Sequence, residues 1–331
     1  NMTQQTHTPV HEDIVLPQLA VIDSHMHLWD RIGFDYFAPE FLADVADGHN
    51  VQSSIYVECG MAYDAFSPDP MLVVDETRHA MQQVALARGH SHRLAEGILG
   101  AANLLLGSAV QPVLEAHVDA SEGRFRGVRF RVAYDADPEA GYHESGYLNQ
   151  NVLDRPELVE SARLLGRMGL TLELWGFHPQ LADIKAFARM VPEVQIVLNH
   201  IGGPLGVGRY AHERAEVFKA WSAGITALSD EPNVMVKLSG LGISRLGLRQ
   251  PGGQDHTTSD QLAAAWGPFV RHCVESFGPD RSIFGSNFPV DRATASYRTL
   301  LNAYKKILLG LSDSDLRAVF ADNARRTYRL T

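Results

Sequence analysis

The stretch Asp23-Ser-His-Met-His27 sets two imidazoles two residues apart at the end of an apolar run. On a strand, residues i and i+2 share a face, so both rings address one point. That geometry chelates one divalent metal or brackets one substrate. Other chemistry-bearing side chains end similar runs: Glu58, then Arg129 and Arg131 on either side of Phe130, then Glu173 and Trp175 with His178 just beyond. Further along come His200 in Leu198-Asn-His-Ile-Gly-Gly-Pro204, Lys237 before Ser239, and Asn287 and Asp291 in Ser286-Asn-Phe-Pro-Val-Asp291. His25, His27, His200, Asn287, Glu58 and Glu173 are the expected catalytic group. Arg129, Arg131, Trp175, Lys237 and Asp291 are the expected substrate binders, because a guanidinium fork matches a carboxylate bidentately. A single divalent ion, zinc by ligand type, would touch His25 and His27 with Glu173 or His200 in reach. Each residue has a plain structural alternative: Arg131 in a loop ion pair, Lys237 as partner of Glu173, His200 in a turn.

The elements that must position these groups can be read from the apolar runs. Eight recur, at Ala20–Ser24, Ser53–Val57, Gly97–Ala102, Gly127–Phe130, Leu170–Trp175, Val194–Leu198, Asn233–Leu238 and Ser282–Gly285. Amphipathic stretches at Glu157–Met168, Gln180–Met190, Glu213–Leu228 and Asp260–Phe277 separate several of them and predict helices. Strands buried on both faces and alternating with helices predict an α/β fold with a parallel sheet, and eight is the number that closes a (β/α)8 TIM-type barrel. An open doubly wound sheet is the alternative, but no Gly-x-Gly-x-x-Gly follows a strand. In such barrels the chemistry lies at the C-terminal ends of the strands. Residues 134–152 and 242–258 predict long loops over that face, and with 30–40 and 61–70 they would set specificity, Tyr36, Tyr63 and Tyr142 being candidate binders. Helices over about 294–310 and 312–328 would close the barrel and pack outside it. Residues 1–19 form a tail and 20–331 one barrel domain.

The chain has 331 residues, 45% of them hydrophobic and 21% charged, with a formal net charge of −10. The negative balance excludes nucleic acid as the main partner, since phosphate binding needs a concentrated basic face. No run of about twenty apolar residues predicts a membrane span. The first residues lack both a basic start and an apolar core, and Cys59 and Cys273 are too few for a disulfide scaffold, so the reading is a cytoplasmic enzyme with free thiols. Its partner would be a small-molecule acid or lactone, and the sequence leaves open whether it forms a homo-oligomer.

As a set, Ile22–Trp29, Gly127–Phe130, Asn199–Pro204, Val236–Gly240 and Phe284–Pro289 resemble the amidohydrolase superfamily, and within it the branch of 2-pyrone-4,6-dicarboxylate lactonase and the fucono- and rhamnonolactonases. The resemblance implies a distorted barrel and a hydrolytic site. It aligns His25 and His27 with the first-strand pair, His200 with the sixth-strand histidine and Asn287 with the eighth-strand position. Two departures stand out. The fifth strand offers Glu173 or Trp175 where metal-binding relatives carry histidine, and Asn287 replaces the aspartate that takes the proton from water. An amide cannot act as a base. The role must move to Glu58, Glu173, Asp291 or a neutral histidine, with Asn287 orienting water or substrate. The branch includes metal-free members. A hydrolase opening a lactone or similarly activated ester is the leading expectation, and a carbon–carbon lyase or a non-catalytic acid-binding barrel are the alternatives.

Overall fold

All eight apolar runs form strands in the computed structural model, which describes residues 8–31, 33–142 and 148–331. They are β1 (Ala20–Met26), β2 (Asn50–Val57), β3 (Arg93–Gly100), β4 (Phe125–Arg131), β5 (Thr171–Trp175), β6 (Ile196–Leu198), β7 (Val234–Leu238) and β8 (Ser282–Phe284). Every neighbouring pair is parallel and the order follows the sequence, which is the (β/α)8 arrangement. Helices at Pro156–Arg167, Leu181–Met190, Arg214–Leu228 and Ser259–Phe277 match the predicted amphipathic stretches to within a residue.

Side-chain alternation sorts the strands into two cores. Leu172, Leu174, Val234 and Val236 point outward and join the large core beneath the helices. Ile22, Ile55, Leu99, Val197, Met235 and Ile283 form a separate cluster that fills the inside. Tyr328, from the C-terminal helix Asn323–Tyr328, belongs to that inner cluster. The helix Tyr297–Leu308 packs outside, as expected, against Ser259–Phe277. The terminal segment instead covers the N-terminal mouth, and a π-helical stretch, Ala318–Asp322, precedes the turn that carries Tyr328 inward.

The seam between β1 and β8 is the irregular part of the barrel. Ser24 Oγ donates to Phe284 O at 2.6 Å, Asn287 N to His25 O at 2.8 Å, and His27 N to Phe288 O at 2.8 Å. Asp23 ties the same seam, accepting from Ser286 N at 2.9 Å and from the Tyr297 hydroxyl at 3.0 Å. The seam is therefore held by the residues flanking His25, His27 and Asn287, which fixes those side chains relative to one another. Residues 143–147, within the predicted 134–152 loop, lie outside the described residues. The 242–258 loop carries two short helical turns, Ser244–Leu246 and Gly253–His256.

Candidate active site

At the C-terminal ends of β1 and β6 three imidazoles meet. The rings of His25 and His27 lie 5.0 Å apart, centroid to centroid, and those of His25 and His200 4.5 Å apart. His200 adopts φ 51° and Asn287 φ 54°, conformations that L residues adopt at a cost and that recur where a side chain must be aimed. Gly240 makes room: a Cβ there would lie 2.3 Å from His200 Nδ1. Trp175 packs edge-on against His200 at 4.8 Å, and Trp29 stacks on His27 at 5.8 Å.

Burial and neighbouring cations disfavour the charged form of all three histidines. Burial lowers each imidazole first, and the nearby Arg129 and Lys237 cations add to it; His27 is pushed down to about 3. The His27 Nδ1–H donates to Val57 O at 2.7 Å, which leaves its Nε2 a lone pair. His200 Nδ1 lies 2.8 Å from Ser239 Oγ. His25 Nε2 is buried and has no hydrogen-bond partner among the described residues, and neither has Trp29 Nε1.

The charged groups divide into those facing the imidazoles and those beneath them. Arg129 Nε donates to Glu58 Oε1 at 2.6 Å, and its Nη2 to Glu58 O at 2.9 Å, so the two rim residues form one unit. The other carboxylate oxygen of Glu58 takes no hydrogen bond among the described residues. Glu76 fixes the loop carrying Glu58, accepting from Cys59 N at 2.7 Å, Met61 N at 3.1 Å and Gly60 N at 3.2 Å. Arg131 lies over the Tyr142 ring at 4.6 Å and Arg245 over the same ring at 4.2 Å, while Tyr142 stacks on Phe177 at 5.7 Å. Arg245, Trp29 and Ser239 were not among the expected site residues.

Below the imidazoles, Lys237 and Glu173 form a fully buried ion pair, Nζ to Oε1 2.7 Å and Oε2 3.0 Å. Glu173 also accepts from Asn199 Nδ2 at 2.7 Å and from the Tyr328 hydroxyl. Each carboxylate oxygen thus has two donors, which corrects the expectation of Glu173 as base or metal ligand: its lone pairs are committed to holding the barrel interior. Lys237 likewise is no substrate binder, since it is completely buried and engaged with Glu173, Ser24 O and His25. The plain alternative for Lys237, a partner for Glu173, describes it.

Asp291 sits behind Asn287. It is fully buried, accepting from Asn287 Nδ2 at 2.9 Å and from Gly242 N at 3.1 Å, and burial raises its carboxyl to about 7. It therefore stands behind Asn287 instead of touching substrate. The Asn287 side chain bridges from Asp291 to the His27 imidazole. His178 takes no part: its Nδ1 accepts from Leu205 N at 3.1 Å and its ring meets Tyr210 at 5.1 Å. Tyr36 is buried and donates to Asp44, and Tyr63 lies close enough to Glu58 for that charge to help burial raise its hydroxyl.

Whether this donor set suits a divalent ion follows from the same contacts. Among the described residues no three His, Cys, Asp or Glu side chains converge to hold a metal. With Glu173 committed and a lysine ammonium 3.4 Å from His25 Nδ1, these side chains do not fit a resident ion as they stand.

Comparison with known proteins gives a consistent family. The amidohydrolase family model matches residues 22–330. An uncharacterized Sinorhizobium fredii protein, y4mH, is 31% identical over 95% of this chain and 100% of its own. The L-fucono-1,5-lactonase of Burkholderia multivorans is 24% identical over 93% of this chain and 96% of its own. Among solved structures, an amidohydrolase from Burkholderia multivorans with bound zinc shares the fold with a TM-score of 0.72 at 22% identity, covering 94% of this chain and 100% of that one.

Proposed function

Since the chain belongs to the amidohydrolase family and is a hydrolase of that superfamily, we propose that it opens a lactone of a small carboxylic or sugar acid. One observation carries this reading: three neutral imidazoles meet at the strand C-termini beside a cationic rim of Arg129, Arg131 and Arg245. Neutral imidazoles can polarise an acyl oxygen without repelling the cations, and a cationic rim suits an acid substrate. The lactone-opening names of relatives such as the fucono- and rhamnonolactonases support the substrate class.

In this mechanism the lactone carbonyl lies beside His25 and His200. A water oxygen attacks the acyl carbon and its proton passes to Glu58, the pocket carboxylate with an uncommitted oxygen, held in place by Arg129. The acyl–oxygen ring bond then breaks, and the proton returns to the departing alkoxide oxygen to give a hydroxy acid. Asn287 does not take the proton. With Nδ2 held by Asp291, its Oδ1 is the atom left to accept a hydrogen bond from the attacking water. Arg129 and Arg131 bind the acid group of the substrate.

The test is a panel of 1,4- and 1,5-aldonolactones with a pyrone dicarboxylate, followed by proton release at neutral pH. Opening of at least one member well above the spontaneous rate is expected. Carbon dioxide release from aromatic acids, with no lactone opened, would establish the lyase alternative. Binding of acids without turnover of any kind would establish the non-catalytic one.

A further inference from the structure

The polar layer beneath the imidazoles determines what His25 can offer the pocket. Lys237 Nζ lies 2.9 Å from Ser24 O, 2.7 and 3.0 Å from the two Glu173 oxygens, and 3.4 Å from His25 Nδ1. Its aliphatic stem is buried, and Tyr328 adds a ring face 5.4 Å from Nζ. An ammonium has donors and no acceptor. A proton on His25 Nδ1 would point directly at it, N–H against N–H, with no room for water between them. A lone pair on Nδ1 meets the ammonium favourably. With the ammonium 3.4 Å from Nδ1, the lone pair belongs on Nδ1 and the ring proton on Nε2. Nε2 is the buried atom that has no partner among the described residues.

We infer that Lys237 is a positioning residue that holds His25 in its Nε2–H tautomer, making His25 a hydrogen-bond donor to the substrate's acyl oxygen. The catalytic use of that donor rests on the hydrolase reading above, whereas the tautomer itself does not. The contrast with His27 is direct: its Nδ1–H is held by Val57 O, so its Nε2 accepts. The two adjacent histidines therefore hold opposite tautomers: the lone pair of His27 Nε2 meets the Asn287 side chain, and His25 Nε2 carries the donor that faces the pocket. Glu173, Asn199 and Tyr328 belong to the same device, because they keep the ammonium where His25 needs it. The same tautomer turns a proton, not a lone pair, toward the place where a metal would sit.

Long-range proton–nitrogen correlation on protein labelled with nitrogen-15 histidine reads each tautomer without substrate, and a His25→Gln spectrum assigns the signals. The expected result is His25 protonated at Nε2 and bare at Nδ1 from pH 6 to 8, with His27 the reverse. His25 found protonated at Nδ1, or exchanging evenly between the two forms, would overturn the inference. The wild-type spectrum decides this even if variants fold poorly. Two variants extend the test: Lys237→Arg, which also only donates, should keep the Nε2–H form, and Lys237→Met should lose it together with turnover while the Michaelis constant changes little. Retention of the Nε2–H form in Lys237→Met would show that the lysine only fills space. A correct tautomer in a protein that opens no lactone would leave the inference standing and fail only the hydrolase reading.

Discussion

Two polar layers lie one above the other in this barrel and are built on opposite plans. In the lower one, Lys237, Asn199 and Tyr328 give each oxygen of the Glu173 carboxylate two donors, so the buried charges are matched, and Asn199 Oδ1 alone of this group is left without a partner among the described residues. In the upper one, His25 Nε2 and Trp29 Nε1 are buried without partners among the described residues. Burying charge is tolerable only when it is matched, and the lower layer meets that condition. Leaving polar atoms unmatched costs about 1–3 kcal/mol each, a cost that a protein retains where those atoms have something to bind. The difference separates groups that hold the site from groups that act in it. It also explains why residues of similar chemistry, such as Glu58 and Glu173, have different fates.

The largest effect should come from breaking the lower layer. Lys237→Met leaves the Glu173 carboxylate buried with only neutral donors, and should destabilise the protein by about 3–5 kcal/mol in denaturant titration. A loss under 1 kcal/mol would mean that the pair is not buried as described.

Next is the pH dependence of stability, where the layers pull in opposite directions. The three upper histidines have folded values below the unfolded 6.5, so the stability they contribute is present above that value and is lost as pH falls toward about 3, the value for His27. Asp291 is raised to about 7, so it favours the fold at acid pH and that contribution is lost as pH rises through 7. Asp291→Asn should therefore raise stability at pH 8, by on the order of 1–4 kcal/mol, and change little at pH 4. Urea midpoints of both proteins at the two pH values check this, and destabilisation at pH 8 would contradict it.

Activity effects are smaller in free energy. Asn287→Ala removes the amide that links Asp291 to the pocket, and should lower turnover by roughly 10- to 100-fold. Asn287→Asp should not exceed wild-type turnover, because the new carboxylate would face Asp291 at hydrogen-bond range and be held protonated by like charge. A much faster aspartate variant would show that the native chain lacks a working base. The smallest effect expected is Arg129→Lys, which keeps the charge and loses the fork. It should raise the Michaelis constant about tenfold with a lesser fall in turnover.

The upper layer was largely legible from the sequence, and the lower one was not. His-x-His at the end of an apolar run, and an asparagine where the eighth run breaks, are local patterns, and the strands they close were all found. The roles of Glu173 and Lys237 were not readable locally, because a strand-end carboxylate looks the same whether it faces substrate or a lysine across the barrel. Tyr328 gave no signal at all: its partner Glu173 is 155 residues away, and the contact depends on the π-helical stretch that turns the last helix inward. Asp291 was found as a site residue but misplaced by one layer, since only the turn after β8 shows it behind Asn287. Trp29 could have been found, being two residues beyond His27 in the same motif.

The measurement that bears most directly on the division between holding and acting is the kinetics of His25→Asn on a lactone that the wild type opens, together with its unfolding free energy. Asparagine keeps a small polar side chain at the seam but cannot place a donor where Nε2 lies. The expected outcome is a fall of about 10²- to 10³-fold in kcat/KM, the usual cost of losing one oxyanion donor, with stability within about 1 kcal/mol of wild type. Undiminished kcat/KM, or a loss accompanied by a collapse in stability of the Lys237→Met kind, would place His25 with the residues that hold the barrel and contradict its role in the chemistry.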